Sequence, residues 1–155
     1  KSTLEETLSI HIRRKDKLTK INKNIYGFID INEIYEIIKS CSQKNKYKNI
    51  LLIGDDDEFI EKVKKTYRSK FHFLTTYDLC KEKSITNDFY FLMNSKGLIL
   101  NNSSFGLWAG YLSNSNSIFY PTPFFPYPLD KNLEGFIEED LILPNWIKYK
   151  IKYSN

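Results

Sequence analysis

Residues 49–68 read "NILLIGDDDEFIEKVKKTYR", and this stretch decides the fold. "NILLIG", 49–54, is a short apolar run of the kind formed by a parallel strand buried on both faces. Three aspartates follow, and from residue 56 to residue 68 the apolar period changes. Phe59, Ile60, Val63 and Tyr67 now share one face of a helix. The acids of that helix lie at its start and its Lys and Arg at its end, which suits the helix dipole. A buried strand running straight into an amphipathic helix predicts a parallel sheet joined by helical crossovers.

The alternation extends in both directions. Upstream, "TLSIHI", 7–12, alternates as a strand, and 30–41 places Ile31, Ile34, Tyr35 and Ile38 at helical spacing behind Asp30 as N-cap. Downstream, "KFHFLT", 70–75, predicts a strand, "SITNDFYFLMNS", 84–95, a helix, and "GLILNN", 97–102, a buried strand. "SSFGLWAGYLSN", 103–114, predicts a helix opened by two serines, and "SIFYP", 117–121, a last short strand. The expected class is therefore α/β, a Rossmann-like parallel sheet with helices on both faces, over residues 1–121. Residues 122–155 are expected to be a Pro- and aromatic-rich loop, "PTPFFPYPLDKN" from Pro121, and a tail packing on the same domain through Leu141, Ile142 and Trp146.

Composition narrows the function classes. Of 155 residues 41% are hydrophobic and 15% aromatic, which excludes a disordered chain and allows one well-filled domain. The net charge of +4, from 23 basic and 19 acidic residues, is mild and scattered. It calls for no nucleic acid and suits a localised anion site. Cys41 and Cys80 cannot build a disulfide scaffold and match no zinc spacing, so they read as free thiols in a reducing compartment. No apolar stretch approaches the ~20 residues of a membrane span, and no signal peptide opens the chain. The expected location is cytoplasmic, or peripheral on the cytoplasmic side of a membrane. No GxGxxG, P-loop, HExxH or nucleophile elbow occurs.

Ligands of open parallel sheets bind beyond the C-terminal ends of the strands, and the unusual polar clusters fall there. In "SIHIRRKD", 9–16, if Ile10 and Ile12 face one side, His11 and Arg13 face the other together. Two guanidinium groups at a strand end can hold a phosphate or pyrophosphate by forked hydrogen bonds, with Asp16 orienting one of them. The plainer alternative is a solvated turn with Asp16 paired to Arg13 or Arg14. "GDDDEF", 54–59, admits three readings. The aspartates cap the helix, Asp55 and Asp57 hold a divalent metal, or a carboxylate bonds a ligand hydroxyl or base. "NNSSFGLWAG", 101–110, puts Ser103 and Ser104 at a helix N-terminus, an anion site or a simple cap.

Taken together, "SIHIRRKD", "LLIGDDDEF", "NDFYFLMNSKGLILNNSSFGLWAGYL" and the trailing "LPNW" resemble an α-1,2-fucosyltransferase of glycosyltransferase family 11, from about residue 8 to about residue 150. That family carries a His-x-Arg-Arg-x-Asp segment, a strand ending in Ser-Asp-Asp and a later Asn-Ser-Ser-Phe-Ser-Trp-Trp segment. The resemblance implies the donor-binding half of a GT-B-type fold and an inverting, metal-independent transfer of fucose from GDP-fucose to a galactose hydroxyl of an acceptor glycan. It implies no cofactor beyond the donor substrate, and a preceding half of the enzyme as partner. By the motif match Arg13 holds the diphosphate, His11 and Arg14 neighbour it, Asp88 reads the guanine, Ser103 and Ser104 lie on the phosphate side, and Asn102 is a further GDP-fucose-binding residue. Arg13 would also stabilise the departing GDP, with Asp16 a candidate general base. The sequence departs from the family pattern at Lys15, Asp16 and Lys17, where Gly-Asp-Tyr is common, and at Gly106 and Leu107, while Trp108 is kept. Two alternatives stand beside this reading: a nucleotide-binding module without turnover, and a metal-dependent transferase using Asp55 and Asp57.

Overall fold

The structure, a computed structural model, describes residues 3–18, 27–43, 45–124 and 138–154. Six strands form one sheet: β1 (Thr7–Ile12), β2 (Asn49–Gly54), β3 (Phe73–Thr75), β4 (Gly97–Ile99), β5 (Ser117–Thr122) and β6 (Ile147–Lys150). Their order is β3-β2-β1-β4-β5-β6, and each neighbouring pair is parallel. This is the Rossmann order, in which the direction of winding reverses between β1 and β4 and leaves a crevice beyond their C-terminal ends.

Alternation along the strands sends side chains into two separate cores. Leu8, Ile10 and Ile12 of β1 join Ile50 and Leu52 of β2 under two helices, α1 (Ile31–Ser42) and α2 (Asp57–Tyr67). On the other face Leu51, Ile53, Leu98 and Leu100 meet Leu92 of α4 (Ile85–Asn94) and Leu107 and Ala109 of α5 (Ser104–Tyr111). Each such side chain contributes about 1.5–3 kcal/mol when fully buried, so the apolar patterning is what fixes register. The second face of β1 is polar instead: Thr7, Ser9 and His11 are all buried. Thr7 donates to the carbonyl of Thr3 at 2.8 Å and Ser9 to that of Gly97 at 3.3 Å, while His11 reaches the crevice.

The helices start where the sequence provides a cap. Asp30 accepts the Asn32 and Glu33 amides at 2.8 and 2.9 Å, and Asp56 accepts the Phe59 amide at 3.1 Å. Three features depart from the sequence expectation. The strand expected over 70–75 begins only at Phe73, because the Lys70 and Phe71 amides still donate to the Tyr67 carbonyl and complete the turn that closes α2. A short helix, α3 (Thr76–Cys80), follows β3 directly, its N-terminus held by the Thr75 amide and hydroxyl on the Asp78 carboxylate at 2.7 and 2.9 Å. The third departure is the tail. It adds a sixth strand, with Phe119–Thr122 paired to Ile147–Lys150, so the sheet runs straight across the boundary drawn at residue 121. Trp146 is buried, and Leu141 and Ile142 pack on the second core. Residues 125–132 of the expected Pro and aromatic loop lie outside the described residues. Among the described residues no helix is long and apolar enough to cross a membrane.

Candidate functional site

A cavity of ≈ 520 Å³ opens at the crevice between β1 and β4, within the size range of small-ligand sites. β1 and the turn after it supply His11 and Arg13, and the end of β2 supplies Gly54 and Asp55. Ser84 and Asp88 come from the start of α4, Ser103 and Phe105 from the start of α5. The chain brings β2 close here because residue 54 is glycine: a Cβ there would lie 2.1 Å from the Ile12 carbonyl oxygen.

Four sequence-predicted residues, His11, Arg13, Asp88 and Ser103, therefore share one cavity wall. His11 is buried against the Phe105 ring, centroids 5.2 Å apart, and its Nδ1 has no hydrogen-bond partner. Burial, with the charges of Lys17 and Arg13, outweighs the opposing pull of Asp55 and lowers its pKa to about 4. The imidazole is thus neutral at neutral pH. Asp88 is buried and accepts the Thr76 hydroxyl, which α3 places beside it. Burial raises its pKa, helped by Asp57 and opposed by Thr76 and Lys83. Ser103 is the N-cap of α5, yet its hydroxyl makes no capping bond and is buried without a partner. The first-turn amides of a helix have no intrahelical acceptor, and α5 begins at this wall.

Four other predicted residues take different places. Asp16 does not line the cavity; its Oδ2 accepts both Nε of Arg13, at 2.8 Å, and Nη2. Burial works against the Asp16 carboxylate, but Arg13 and Lys17 prevail and hold its pKa below the ordinary value. That makes it a weak base and a good anchor for the guanidinium. Arg14 points to the opposite face of the sheet, since consecutive residues leaving a strand diverge. Its guanidinium carbon lies 4.2 Å from the Phe59 ring centre and 5.0 Å from that of Phe28, Nη1 donates to the Ile29 carbonyl at 3.1 Å, and Nε sits 3.3 Å from Asp56. It braces the fold rather than the cavity. Arg14→Ala is expected to cost about 2 kcal/mol of stability; urea unfolding within about 0.5 kcal/mol of the unaltered protein would remove that role. Asn102 is buried outside the cavity wall, its side-chain oxygen accepting the Lys17 ammonium, and Ser104 is exposed to solvent.

The three aspartates are individually engaged. Asp55 accepts the Arg14 and Lys15 amides at 2.8 and 3.2 Å, Asp56 caps α2, and Asp57 pairs with Lys83, whose ammonium also donates to the Gly54 carbonyl at 2.8 Å. Lys83 lines the cavity and Lys17 stands behind it. Sequence reasoning missed both, since two lysines in a lysine-rich chain carry no distinguishing signal. Among the described residues no group of three metal-ligating side chains gathers. The arrangement suits a ligand with an anionic part near Arg13 and Ser103 and a hydrogen-bonding part near Asp88.

Comparisons with known proteins bear on the fold and on the family. The structure of POFUT1 in complex with GDP superposes with a TM-score of 0.50 at 10% sequence identity, covering 71% of this chain and 41% of that one. POFUT1 in complex with GDP-fucose gives the same score and identity over 71% of this chain and 40% of that one. At such identity the likeness is one of fold, and the chain spans about two fifths of the POFUT1 chains it matches. A comparison with curated protein sequences finds no match. The sequence profile of glycosyl transferase family 11 matches residues 2–150. That span holds all six strands and every residue of the cavity wall, and the chain belongs to glycosyl transferase family 11.

Proposed function

We propose that the cavity is the donor site of an inverting, metal-independent fucosyltransferase that moves fucose from GDP-fucose to a galactose hydroxyl of a glycan, forming an α-1,2 linkage. One observation carries the reading. In a chain of this family, an arginine, a neutral imidazole, an unpartnered serine hydroxyl and a buried carboxylate meet in one cavity at the switch point of the sheet. The POFUT1 structures of like fold hold GDP and GDP-fucose, which supports a GDP-sugar as the ligand.

The diphosphate lies between Arg13 and Ser103, at the N-terminus of α5, where fixed donors favour an anion. Asp88 accepts from the guanine edge, and Thr76 keeps its carboxylate turned toward the cavity. As the bond between fucose and the diphosphate breaks, charge grows on the departing GDP and Arg13 is already in place to meet it. The new bond forms to the galactose oxygen, whose proton must pass to a base. Asp16 is paired with Arg13 outside the cavity wall, so its part is to orient that arginine. The base is assigned to the acceptor-binding half implied by the family resemblance. Since the chain spans about two fifths of the POFUT1 chains, donor binding is assigned to it and turnover to the whole enzyme.

The metal-dependent alternative would require Asp55 and Asp57 to leave their amide and lysine partners. Calorimetric titration with GDP tests the choice. Affinity is expected to agree within about twofold, less than ~0.5 kcal/mol, in EDTA and in Mn²⁺. Binding that appears only with Mn²⁺ would transfer the donor site to the aspartates, and no binding in either would remove it.

A further inference from the structure

Lys17 is only 3% exposed, yet the donor-site reading gives it no task. It sits in the short turn Asp16–Leu18 after β1, its amide bonded to the Arg14 carbonyl at 3.0 Å. Its ammonium crosses the crevice to Asn102, meeting the side-chain oxygen and, at 3.3 Å, the main-chain oxygen. Asn102 immediately precedes Ser103. One side chain thus ties the Arg13 turn to the start of α5 at the point where β1 and β4 wind apart.

A buried ammonium is costly to desolvate. This one faces the guanidinium of Arg13 and stands near the positive end of a helix, two neighbours that oppose it. Asp16 and Asp55 offset only part of that. An anion at Ser103 would complete the balance. We propose that Lys17 is a positioning residue of the diphosphate subsite: it locks the Asn102–Ser103 turn against the Arg13 turn and supplies, from behind the cavity wall, a positive charge that a bound diphosphate balances. This rests on the donor-site reading and extends it to a position where the family pattern commonly has Tyr.

The groups facing Lys17 are His11 from β1, Arg13 and Asp16 from its own turn, Asp55 from the end of β2, and neutral Asn102 from the turn before α5. Burial first, then Arg13, lowers the Lys17 pKa to about 8, with Asp16 and Asp55 acting the other way. His11 titrates near pH 4 and Asp16 lower than an ordinary carboxyl, and Arg13 stays charged. A bound diphosphate favours the ammonium and raises its pKa. Affinity is therefore full below the free value and falls as pH rises through it, by about tenfold between pH 7 and pH 9. The ligand-free fold responds with the opposite sign. Its Lys17 holds fewer protons than the unfolded chain between about pH 8 and the ordinary 10.5, so its contribution to stability rises across that interval.

Calorimetric GDP titrations of the unaltered protein and of Lys17→Met, at pH 7 and pH 9 and in buffers of different ionisation enthalpy, test the proposal. The unaltered protein is expected to take up a proton near pH 8 and to lose about tenfold in affinity by pH 9, after subtraction of the titration of GDP itself. Lys17→Met is expected to bind about tenfold more weakly at pH 7, with no such proton uptake. Its thermal midpoint should hold or rise, because a buried charge has been removed. Equal affinity and an equal pH profile in the two proteins would overturn the proposal. If the variant does not fold, proton uptake by the unaltered protein decides alone, and its absence with GDP bound overturns the Lys17 role only. Failure of the unaltered protein to bind GDP at either pH overturns the donor-site reading and this one with it.

Discussion

Arg13→Ala is expected to weaken GDP binding by about 3 kcal/mol, roughly a hundredfold, with the fold intact. Arg13 lines the cavity beside Ser103, and two of its nitrogens converge on one oxygen of Asp16, which fixes the plane of the guanidinium. A preset fork matches a diphosphate better than a mobile ammonium does. Arg13→Lys, which keeps the charge and loses the fork, is therefore expected to cost about 1.5–2 kcal/mol, at least tenfold. The competing account gives Arg13 only its pair with Asp16. Both side chains of that pair are 40% exposed, and such pairs are worth at most about 1 kcal/mol. On that account both variants bind GDP as the unaltered protein does and melt slightly earlier. GDP titration and thermal unfolding of the two variants distinguish the accounts, and unchanged affinity in folded Arg13→Ala would sink the diphosphate clamp.

The second large effect is expected at Gly54, where stability and site are joined. The added methyl of Gly54→Ala would meet the Ile12 carbonyl oxygen at 2.1 Å. Because that atom is backbone in the central strand, β1 and β2 must part at their C-terminal ends. A loss of about 3 kcal/mol or more is expected, at the upper end for overpacking. The displaced peptide adjoins Arg13, so GDP affinity should fall too. Gly106→Ala is the contrast. Its Cβ would lie 3.2 Å from His11 Nδ1, a side-chain atom able to yield, and alanine gains helix propensity. The net effect there is expected to stay within about 1 kcal/mol. Urea unfolding of the two variants measures both, and equal losses would mean that Gly54 is no tighter a contact than Gly106.

The local elements over 49–68 were legible because a buried strand and an amphipathic helix have different periods, and Phe59, Ile60 and Val63 are indeed buried. The strand order was not, since nothing periodic says that β4 inserts beside β1; that pairing is decided by packing across the chain. β6 was hidden by its position at the sheet edge. Only Tyr149 of its four residues is buried while Lys148 and Lys150 are exposed, so it lacks the apolar run of an inner strand. The short helix after β3 did carry a signal, Thr75 and Asp78 at capping-box spacing, with Asp in place of the usual Glu. Within the cavity, the shared direction of His11 and Arg13 follows from strand alternation. Which of Ser103 and Ser104 turns inward depends on the rotational phase of α5, which adjacent identical residues cannot reveal. The same alternation separates Arg14 from Arg13; what the sequence did not show is that the Phe28 and Phe59 rings receive it.

β1 is paired on both sides and buried along its whole length, and this has a consequence in time. Amides of such a strand exchange with solvent only through the largest opening events of a fold, whereas edge strands and surface turns open locally. His11 therefore belongs to the slowest clock in the molecule, and Arg13, just past the end of the strand, is tethered to it. Deuterium should enter β3 and β6 early, the turn at 13–18 sooner than the strand before it, and Leu8–Ile12 last. A ligand gripping that turn would be felt as a slowing there, and also at Leu8–Ile12, because binding to the folded state makes the global opening through which they exchange rarer.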